Sequence, residues 1–288
     1  RLTWSEGDYA SAREAHGRAL ARRQASGDEA GVAESLYHLG ITAYRQDDYA
    51  AARDYLDRSL ALARARGDRA GVARVLLNLG NIASESGEEH RAEARDLYRQ
   101  SLELEQALGN RQRVANALNN LGLLSLSDRD HAEAERLFEE ALAVGRELTD
   151  SFGTATALAN LGTIARLRGE RERARSLLVE GLTLAHDLGD RFVTVHYLLQ
   201  LGLLATSGGD AGRGVLLVSA AHHLFEDLVH SHRITDAEGY AEAMAAARGA
   251  LGDAAFERAW AAARSLPLAR VVAQALAAEA DAVSRPAS

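Results

Sequence analysis

The feature that most constrains this chain is a five-residue motif that recurs at almost constant spacing. Each copy has leucine at its first and fourth positions and glycine at its fifth. The five copies span residues 36–40, 76–80, 118–122, 158–162 and 198–202, so the spacings are 40, 42, 40 and 40 residues, and two residues inserted in one turn account for the 42. A period of this length predicts a solenoid whose units bury their apolar faces against one another.

A second series of residues marks the boundaries between these repeats. Glycine occupies positions 27, 67, 109 and 189, threonine occupies position 149, and Asp or Asn follows each time. Glycine is preferred just past a helix end, and a following Asp or Asn suits the start of the next helix. Each repeat is therefore predicted to contain two helices of about 15 to 18 residues. The turn inside each repeat is expected near residues 46–48, 86–88, 128–130 and 168–170.

Composition favours helices packed on helices and argues against several functional classes. Hydrophobic residues make up 47% of the chain, aromatic residues only 5%, and there are two prolines. The formal charge of −8 disfavours direct binding to nucleic acid. All 33 basic residues are arginine and cysteine is absent, which excludes a Walker A lysine, a Schiff-base lysine and thiolate metal sites. No catalytic motif is present, so we predict a binding protein with no cofactor, not an enzyme.

Targeting signals are not apparent in the sequence. The first residues lack a charged-then-apolar leader, and no run of 18 apolar residues occurs. A cytoplasmic location without a membrane partner is the resulting expectation.

The repeats resemble the tetratricopeptide repeat in its long form of about forty residues. The resemblance rests on leucine followed by Leu-Gly in the first helix, an aromatic residue such as Tyr49 before the second helix, and small residues such as Ala52 and Ser59 within it. It covers residues 1–207 and implies an all-α, right-handed α-α superhelix of helical hairpins. The first repeat is incomplete, because Gly7-Asp8-Tyr9 matches the turn between two helices. We therefore expect further sequence upstream.

Residues 208–288 are predicted to form a divergent helical C-terminal cap, as terminal solenoid repeats often do. Helices are expected over 211–221, from near Thr235-Asp236 to Gly252, over 253–265, and from Pro267 onward. Within the cap, residues 250–276 resemble the end of the tetratricopeptide region in actinobacterial LuxR-type and multidomain signal-transduction ATPase regulators of transcription. Ala263 departs from that pattern, because the family often has glycine there, and residues 233–236 replace its proline-rich connector.

That second resemblance implies a sensory or protein-interaction segment. In these regulators a nucleotide-binding module precedes the repeats and a helix-turn-helix lies at one end of the protein. The present 288 residues contain neither motif. The expected partner is a protein or peptide, another domain of the same parent chain, or a small inducer. The alternative is a free-standing scaffold or peptide receptor unrelated to transcription.

A polar position in the first helices is predicted to face this partner. The middle residue of each motif lies off the apolar helix face and is histidine, asparagine or glutamine. In the tetratricopeptide family the first helices line a concave groove, where an amide ladder could hold an extended peptide backbone. The alternative is that these amides bridge adjacent first helices, or were copied when the repeats duplicated. With residues one turn before and after, the candidate groove residues are Glu34, His38, Arg45, Arg74, Asn78, Asn81, Asn116, Asn120, Thr156, Asn160, Thr163, Arg166, His196 and Gln200.

A histidine cluster over residues 222–232 is the sharpest feature outside the repeats. On a helix, His223, Asp227 and His230 would share one face, an arrangement that can bind zinc or nickel. A polar helix surface is the alternative interpretation, because a closed metal site needs further ligands and support. A metal-dependent enzyme built on this cluster is the third functional hypothesis.

Overall fold

A computed structural model describes residues 6–226 and 239–283. These residues form α-helices joined by short turns and contain no strand, which confirms the predicted all-α fold of helical hairpins. None of the described helices combines the length and the apolar character needed to cross a membrane. The chain divides into two compact units, Arg1–Leu137 and Phe138–Ser288, which are described separately.

The first unit contains the incomplete repeat and two complete hairpins. Helix α1 spans Glu6–Ser26 and corresponds to the second helix of the incomplete repeat. The next helices are α2 (Glu29–Tyr44), α3 (Tyr49–Ala65), α4 (Arg69–Glu85), α5 (Arg91–Ala107), α6 (Arg111–Ser127) and the start of α7 (His131–Glu147). A short 3-10 turn at Glu88–His90 precedes α5 and lies where the two-residue insertion was predicted.

The motif glycine lies where the two helices of a hairpin approach each other. A Cβ atom on Gly40 would lie 2.7 Å from Cγ of Leu56, and one on Gly80 would lie 2.5 Å from the Tyr98 ring. Both distances are shorter than carbon atoms tolerate. Leu56 is fully buried in this position. The glycine therefore recurs because the second helix places a large side chain where a Cβ atom would be.

The boundary turns lie where they were predicted and have a left-handed backbone. Positive φ angles occur at Gly27 (70°), Gly67 (66°), Gly109 (69°), Thr149 (52°) and Gly189 (65°). This conformation reverses the chain after a helix and is easily adopted only by glycine. Threonine at 149 therefore carries backbone strain that the four glycines avoid.

The predicted Asp caps are confirmed at three of the boundaries. Asp28 and Asp68 accept hydrogen bonds from the backbone N–H groups of Gly31 and Gly71, each at 2.9 Å. Asp190 accepts from the first turn of its helix in the same way. Asn110 makes no such side-chain bond. There the Arg113 N–H donates to the Asn110 carbonyl oxygen at 3.1 Å instead.

The second unit continues the hairpins and ends in a cluster of cap helices. Its helices after α7 are α8 (Ser151–Leu167), α9 (Arg171–Asp187), α10 (Arg191–Ser207), α11 (Ala211–Glu226), α12 (Tyr240–Leu251), α13 (Asp253–Arg264) and α14 (Leu268–Val283). Leu178, Leu198, Val218 and Val272 belong to one buried cluster formed by α9, α10, α11 and α14. The cap helices therefore extend the apolar core of the last repeats.

One predicted boundary differs from the structure, and another lies outside the described residues. Gly7-Asp8-Tyr9 was predicted to be a turn, but α1 already begins at Glu6 and includes these residues. The matching interior turns each follow a preceding first helix, and no such helix is described before residue 6. In the cap, α12 begins at Tyr240, whereas Thr235 and Asp236 lie outside the described residues.

In two hairpins a small residue of the second helix, a serine, donates a hydrogen bond to the backbone of the first helix. In the first unit, Ser59 Oγ donates to the carbonyl oxygen of Ala33, and Ser101 Oγ donates to that of Ala73, both at 2.8 Å. The two serines occupy equivalent positions in successive repeats. Each bond satisfies the serine hydroxyl inside the hairpin.

In the second unit a tyrosine from the next first helix supplies this hydroxyl. Gly181 occupies the serine position, and a Cβ atom there would overlap the phenol oxygen of Tyr197. The Tyr197 hydroxyl donates to the carbonyl oxygen of Ala155, which is equivalent to Ala33 and Ala73. Tyr197 is fully buried. The side chain that is missing at Gly181 is therefore compensated by the large side chain of Tyr197, which fills the space and makes the hydrogen bond.

We expect Thr149→Gly to stabilise the protein. The substitution removes a β-branched side chain from a position with positive φ. Glycine also raises the conformational entropy of the unfolded chain, which offsets part of the gain in stability. The expected net gain is about 0.5–1 kcal/mol in the free energy of unfolding, measured by urea denaturation. The reverse change, Gly189→Thr, should destabilise by a similar or larger amount. Equal stability of both variants and wild type would contradict the strain argument.

We expect Gly181→Ala to destabilise by about 1–3 kcal/mol, because the new methyl group displaces the buried Tyr197 ring. The double variant Gly181→Ser/Tyr197→Ala should recover part of that loss, since it recreates the serine arrangement of the other unit. Thermal and urea denaturation of Gly181→Ser, Tyr197→Ala and the double variant measure the coupling between the two positions. Additive effects would show that the two residues are not matched.

Candidate functional site

In the first unit, side chains of adjacent first helices are joined by hydrogen bonds. Asn120 on α6 donates through Nδ2 to Oδ1 of Asn81 on α4 at 2.9 Å. The Tyr98 hydroxyl donates to the same oxygen at 2.9 Å. Asn81 therefore connects the amide of the following first helix with the second helix of its own hairpin.

Asn78 makes the equivalent connection one repeat earlier. Its Nδ2 donates to the carbonyl oxygen of Arg74 at 2.9 Å and to the hydroxyl of Tyr37 on α2 at 3.3 Å. The Arg74 guanidinium lies over the Tyr37 ring, 4.1 Å from its centroid. The predicted bridging of adjacent first helices is therefore present at Asn78 and at Asn120. A role in holding a ligand remains a prediction for both.

His38 lies in a group of basic side chains at the start of the first unit. Its ring stacks on His16, with the centroids 4.9 Å apart and the planes 13° from parallel. Burial and the neighbouring His16, followed by smaller effects of Arg74 and Arg23, lower the pKa of His38. The exposed Glu34 pairs with Arg23 at 3.3 Å and acts in the opposite direction.

A polar pocket opens beside these residues. It has a volume of about 350 Å³ and lies among the beginnings of α2 and α4 and the end of α3. Its ionisable lining consists of Arg23, Asp28, Glu34, Asp68 and Arg74. Two predicted groove residues, Glu34 and Arg74, therefore line one cavity that could hold a small polar group.

In the second unit the polar stripe is more deeply buried. Arg166 Nε donates to Oε1 of Gln200 at 2.7 Å, and Gln200 is only 3% exposed. Thr163 Oγ1 lies 3.2 Å from Nε2 of His196. Asn160 is also buried. The Arg166–Gln200 and Thr163–His196 contacts join adjacent first helices, and Asn160 and Gln200 present little surface. The prediction that these positions face a partner therefore has its weakest support in the second unit.

The remaining candidates are placed at the ends of the first helices. Arg45 and Asn116 are exposed, and Thr156 is half-buried with its hydroxyl bonded to the Phe152 carbonyl oxygen. The pattern used for the sequence prediction did not include Phe152 or Phe192, which are exposed phenylalanines one turn before Thr156 and His196. Extending the same helical stripe by one turn toward the N-terminus would have found both.

The sequence analysis did not predict that the acidic side chain of Glu85, which belongs to the same polar stripe, is bound by two tyrosines. The hydroxyl of Tyr44 donates to Oε1 of Glu85 at 2.5 Å, and that of Tyr49 donates to Oε2 at 2.9 Å. Burial and the bond to Glu85 raise the pKa of both tyrosines. Both tyrosines precede Glu85 by about one repeat, which could have indicated the contact.

The cap does not test the predicted metal site. Asp227 and His230 lie outside the described residues. The rings of His222 and His223 lie 5.4 and 6.2 Å from that of Trp260. Within residues 6–226 and 239–283 no group of three or more ligating side chains is suited to a metal ion.

Two aromatic residues of the cap have different surroundings. Phe256 is buried, and its ring stacks on the partly exposed Trp260 with centroids 6.0 Å apart. Together with Tyr240 and Met244 they line an apolar pocket of about 420 Å³. Phe256 therefore belongs to the core, whereas Trp260 lies between the core and the surface.

We expect His196 to make stability depend on pH. Burial of its ring is the main cause that lowers its pKa to about 4, below the value of about 6.5 in an unfolded chain. Between these values the unfolded chain binds the proton and the folded chain does not. The free energy of unfolding should therefore fall by up to about 3 kcal/mol as pH decreases from about 6.5 to about 4.

Denaturation of His196→Gln over this pH range measures the contribution. In this variant the free energy of unfolding should lose most of its dependence on pH between about 6.5 and about 4. His186→Gln, which removes an exposed histidine from α9, should keep that dependence. The same slope in wild type and His196→Gln would contradict the assignment.

Comparisons with solved structures agree with the hairpin architecture. BtubC (BKLC) from P. vanneervenii has a TM-score of 0.63 and 19% identity over 80% of this chain and 96% of that chain. A Rap protein complexed with Competence and Sporulation Factor has a TM-score of 0.67 and 17% identity over 97% and 72%. The Rap conjugation gene regulator of plasmid pLS20, in complex with the Phr* peptide, has a TM-score of 0.54 and 17% identity over 85% and 72%. At such identities the likeness shows the fold alone.

Sequence comparisons give the family. No curated protein sequence matches the chain. The family model described as tetratricopeptide repeat matches residues 2–65, 44–107, 72–144 and 113–187, which together span more than half of the sequence. The five motif glycines, the left-handed boundary turns and this match lead to one conclusion: the chain belongs to the tetratricopeptide repeat family.

Proposed function

We propose that this chain is a binding module that recognises an extended peptide or protein segment along its first helices. The observation that carries the proposal is the hydrogen bonding of two side-chain amides in the first unit. Asn78 and Asn120 are half-buried, and each uses its Nδ2 in bonds between helices. Their Oδ1 atoms accept no hydrogen bond from the described residues. Each oxygen can therefore accept from a ligand.

The arrangement of these acceptors suits a peptide backbone. Asn78 and Asn120 occupy the same motif position on α4 and α6, adjacent first helices of one unit. Their Nδ2 bonds orient the carboxamides before a ligand arrives, which reduces the entropy lost on binding. A bound backbone N–H would satisfy each oxygen. The complexes of a Rap protein with Competence and Sporulation Factor and of a Rap regulator with Phr* peptide support this mode of action by analogy.

We further propose that the module is the sensory or interaction segment of a cytoplasmic regulator of transcription. Support comes from the resemblance of residues 250–276 to the end of the repeat region in such regulators. The similarity in fold to a conjugation gene regulator is consistent with this role. The alternative, a free-standing scaffold or peptide receptor, shares the binding surface but not the parent protein. A helix-turn-helix or nucleotide-binding module encoded in the same gene would favour the regulator.

A displayed library of random peptides tests the binding proposal. We expect wild type to enrich a peptide family, and we expect Asn78→Ala and Asn120→Ala to weaken the best peptide about 5- to 20-fold, the loss of one buried hydrogen bond. Isothermal titration calorimetry provides the affinities. Asn110→Ala is the matched control, because its amide lies in a boundary turn and makes no cap bond.

Circular dichroism of each variant separates lost binding from lost folding. Enrichment of no peptide would contradict the proposed function. If wild type, Asn78→Ala and Asn120→Ala bound the peptide with equal affinity, the two amides would serve only to join the helices.

A further inference from the structure

One position of the first helices has opposite exposure in the two units. Leu123, one residue after the motif glycine of α6, is 42% exposed, whereas Leu203, at the equivalent position of α10, is 1% exposed. The polar motif residue three positions earlier differs in the same way, since Asn120 is half-buried and Gln200 is buried. Both helices carry the same repeat pattern, so another element must cover this face of α10.

The covering element is the cap helix α12. It packs against α10, α11 and α13. Tyr240 and Met244 of α12 pack on the buried cluster to which Leu203 belongs. Just before α12, a Cβ atom on Gly239 would lie 3.4 Å from Nη1 of Arg166, the side chain that donates to the motif glutamine of α10. The helix α12 therefore lies against the polar stripe of α10, at positions that stay partly open in the first unit.

The attachment of α12 to the rest of the unit is weak. Ala247 is its only buried residue, and Gly249 interrupts its interior. Glycines with positive φ flank the helix, Gly239 at 82° and Gly252 at 74°. Few buried contacts lower the free energy needed for local opening. An isolated helix as short as α12 is marginal in water, so α12 loses its helical structure when it leaves α10.

We propose that α12 is a detachable cover of the binding surface on α10, and that a partner reaches Gln200 and Leu203 only after α12 has left. This surface is then open only in the released fraction of molecules. The apparent affinity of a partner that uses α10 is reduced by that fraction. The inference rests on the proposed function for the identity of the partner, a peptide or protein segment, whereas the release of α12 is measured without one.

Thiol accessibility measures this release, because the chain contains no cysteine and one engineered thiol is then the only one. Leu203→Cys places the thiol under α12, Leu123→Cys at the equivalent exposed position of α6, and Leu158→Cys in the buried core of α8. Alkylation of the folded full chain with N-ethylmaleimide should be fastest at 123, intermediate at 203 and slowest at 158. A rate at 203 that matches either control would overturn the inference. Gln200→Cys is the second reporter if Leu203→Cys does not fold.

Matched substitutions in α12 test whether this helix controls the rate. Ala247 packs in a buried cluster with Phe256, so the charge of Ala247→Glu cannot stay there. Alkylation of Leu203→Cys should become about tenfold faster or more. Ala246→Glu adds the same side chain at an exposed neighbouring position and should change the rate by less than about twofold. Leu158→Cys should stay slow in both backgrounds. Equal rates at 203 in both backgrounds would contradict the proposal.

Gly249→Ala should change the rate in the opposite direction. A methyl group on Gly249 would meet no atom within 4 Å, so alanine favours the helix without touching α10. Because release unfolds α12, alkylation of Leu203→Cys should become about 2- to 5-fold slower. This variant decides the question if Ala247→Glu also speeds the reaction of Leu158→Cys, which would mean that the glutamate unfolds the whole unit. An unchanged rate in Gly249→Ala would count against α12 as the cover.

Peptide selection tests the consequence for binding. The random peptide library is applied to Ala247→Glu as well as to wild type, and calorimetry gives the affinities of the enriched peptides for both proteins and for Ala246→Glu. Peptides that slow the alkylation of Leu203→Cys use α10, and they should bind Ala247→Glu more tightly by the factor that the alkylation rates give. Equal affinities of these peptides for all three proteins would reject the cover and retain the proposed function. Enrichment on neither protein would reject the proposed function, and the alkylation rates alone would then decide whether α12 detaches.

Discussion

The close approach of the two helices in each hairpin is the constraint on which the rest of the structure depends. At Gly40 and at Gly162 the space for a Cβ atom is filled by a buried leucine of the second helix, Leu56 or Leu178. Because glycine has no side chain, the leucine packs directly against the backbone of the first helix. This contact fixes the face that each first helix buries. The polar motif position that precedes the glycine by two residues is thereby kept off the core.

The surface properties of the first helices follow from that arrangement, and they differ between the two units. In the first unit the polar positions remain partly open, and Asn78 and Asn120 keep unused hydrogen-bonding capacity. In the second unit the equivalent residues Asn160 and Gln200 are buried. One repeat pattern therefore produces both a candidate binding surface and a region in which the same positions mainly join helices.

The sequence alone predicted the helices well, because spacing and turn chemistry are local properties. The turn at Gly67 and the cap at Asp68 follow from neighbouring residues in the chain, and the turn at Thr149 follows from its position in the repeat. The partners of the polar side chains could not be predicted in this way. The bond from Asn120 to Asn81 depends on how far apart adjacent repeats lie, and periodicity does not give that distance.

The steric compensation between Gly181 and Tyr197 limits how such a chain can evolve. Repeats that share one consensus could in principle be shuffled, duplicated or deleted by recombination without loss of the fold. Here a cavity in one repeat is filled by a ring from the next, and the ring takes over the hydrogen bond that a serine makes elsewhere. Moving either repeat alone would leave a void or a steric clash, so these two modules must be inherited together and in their present order.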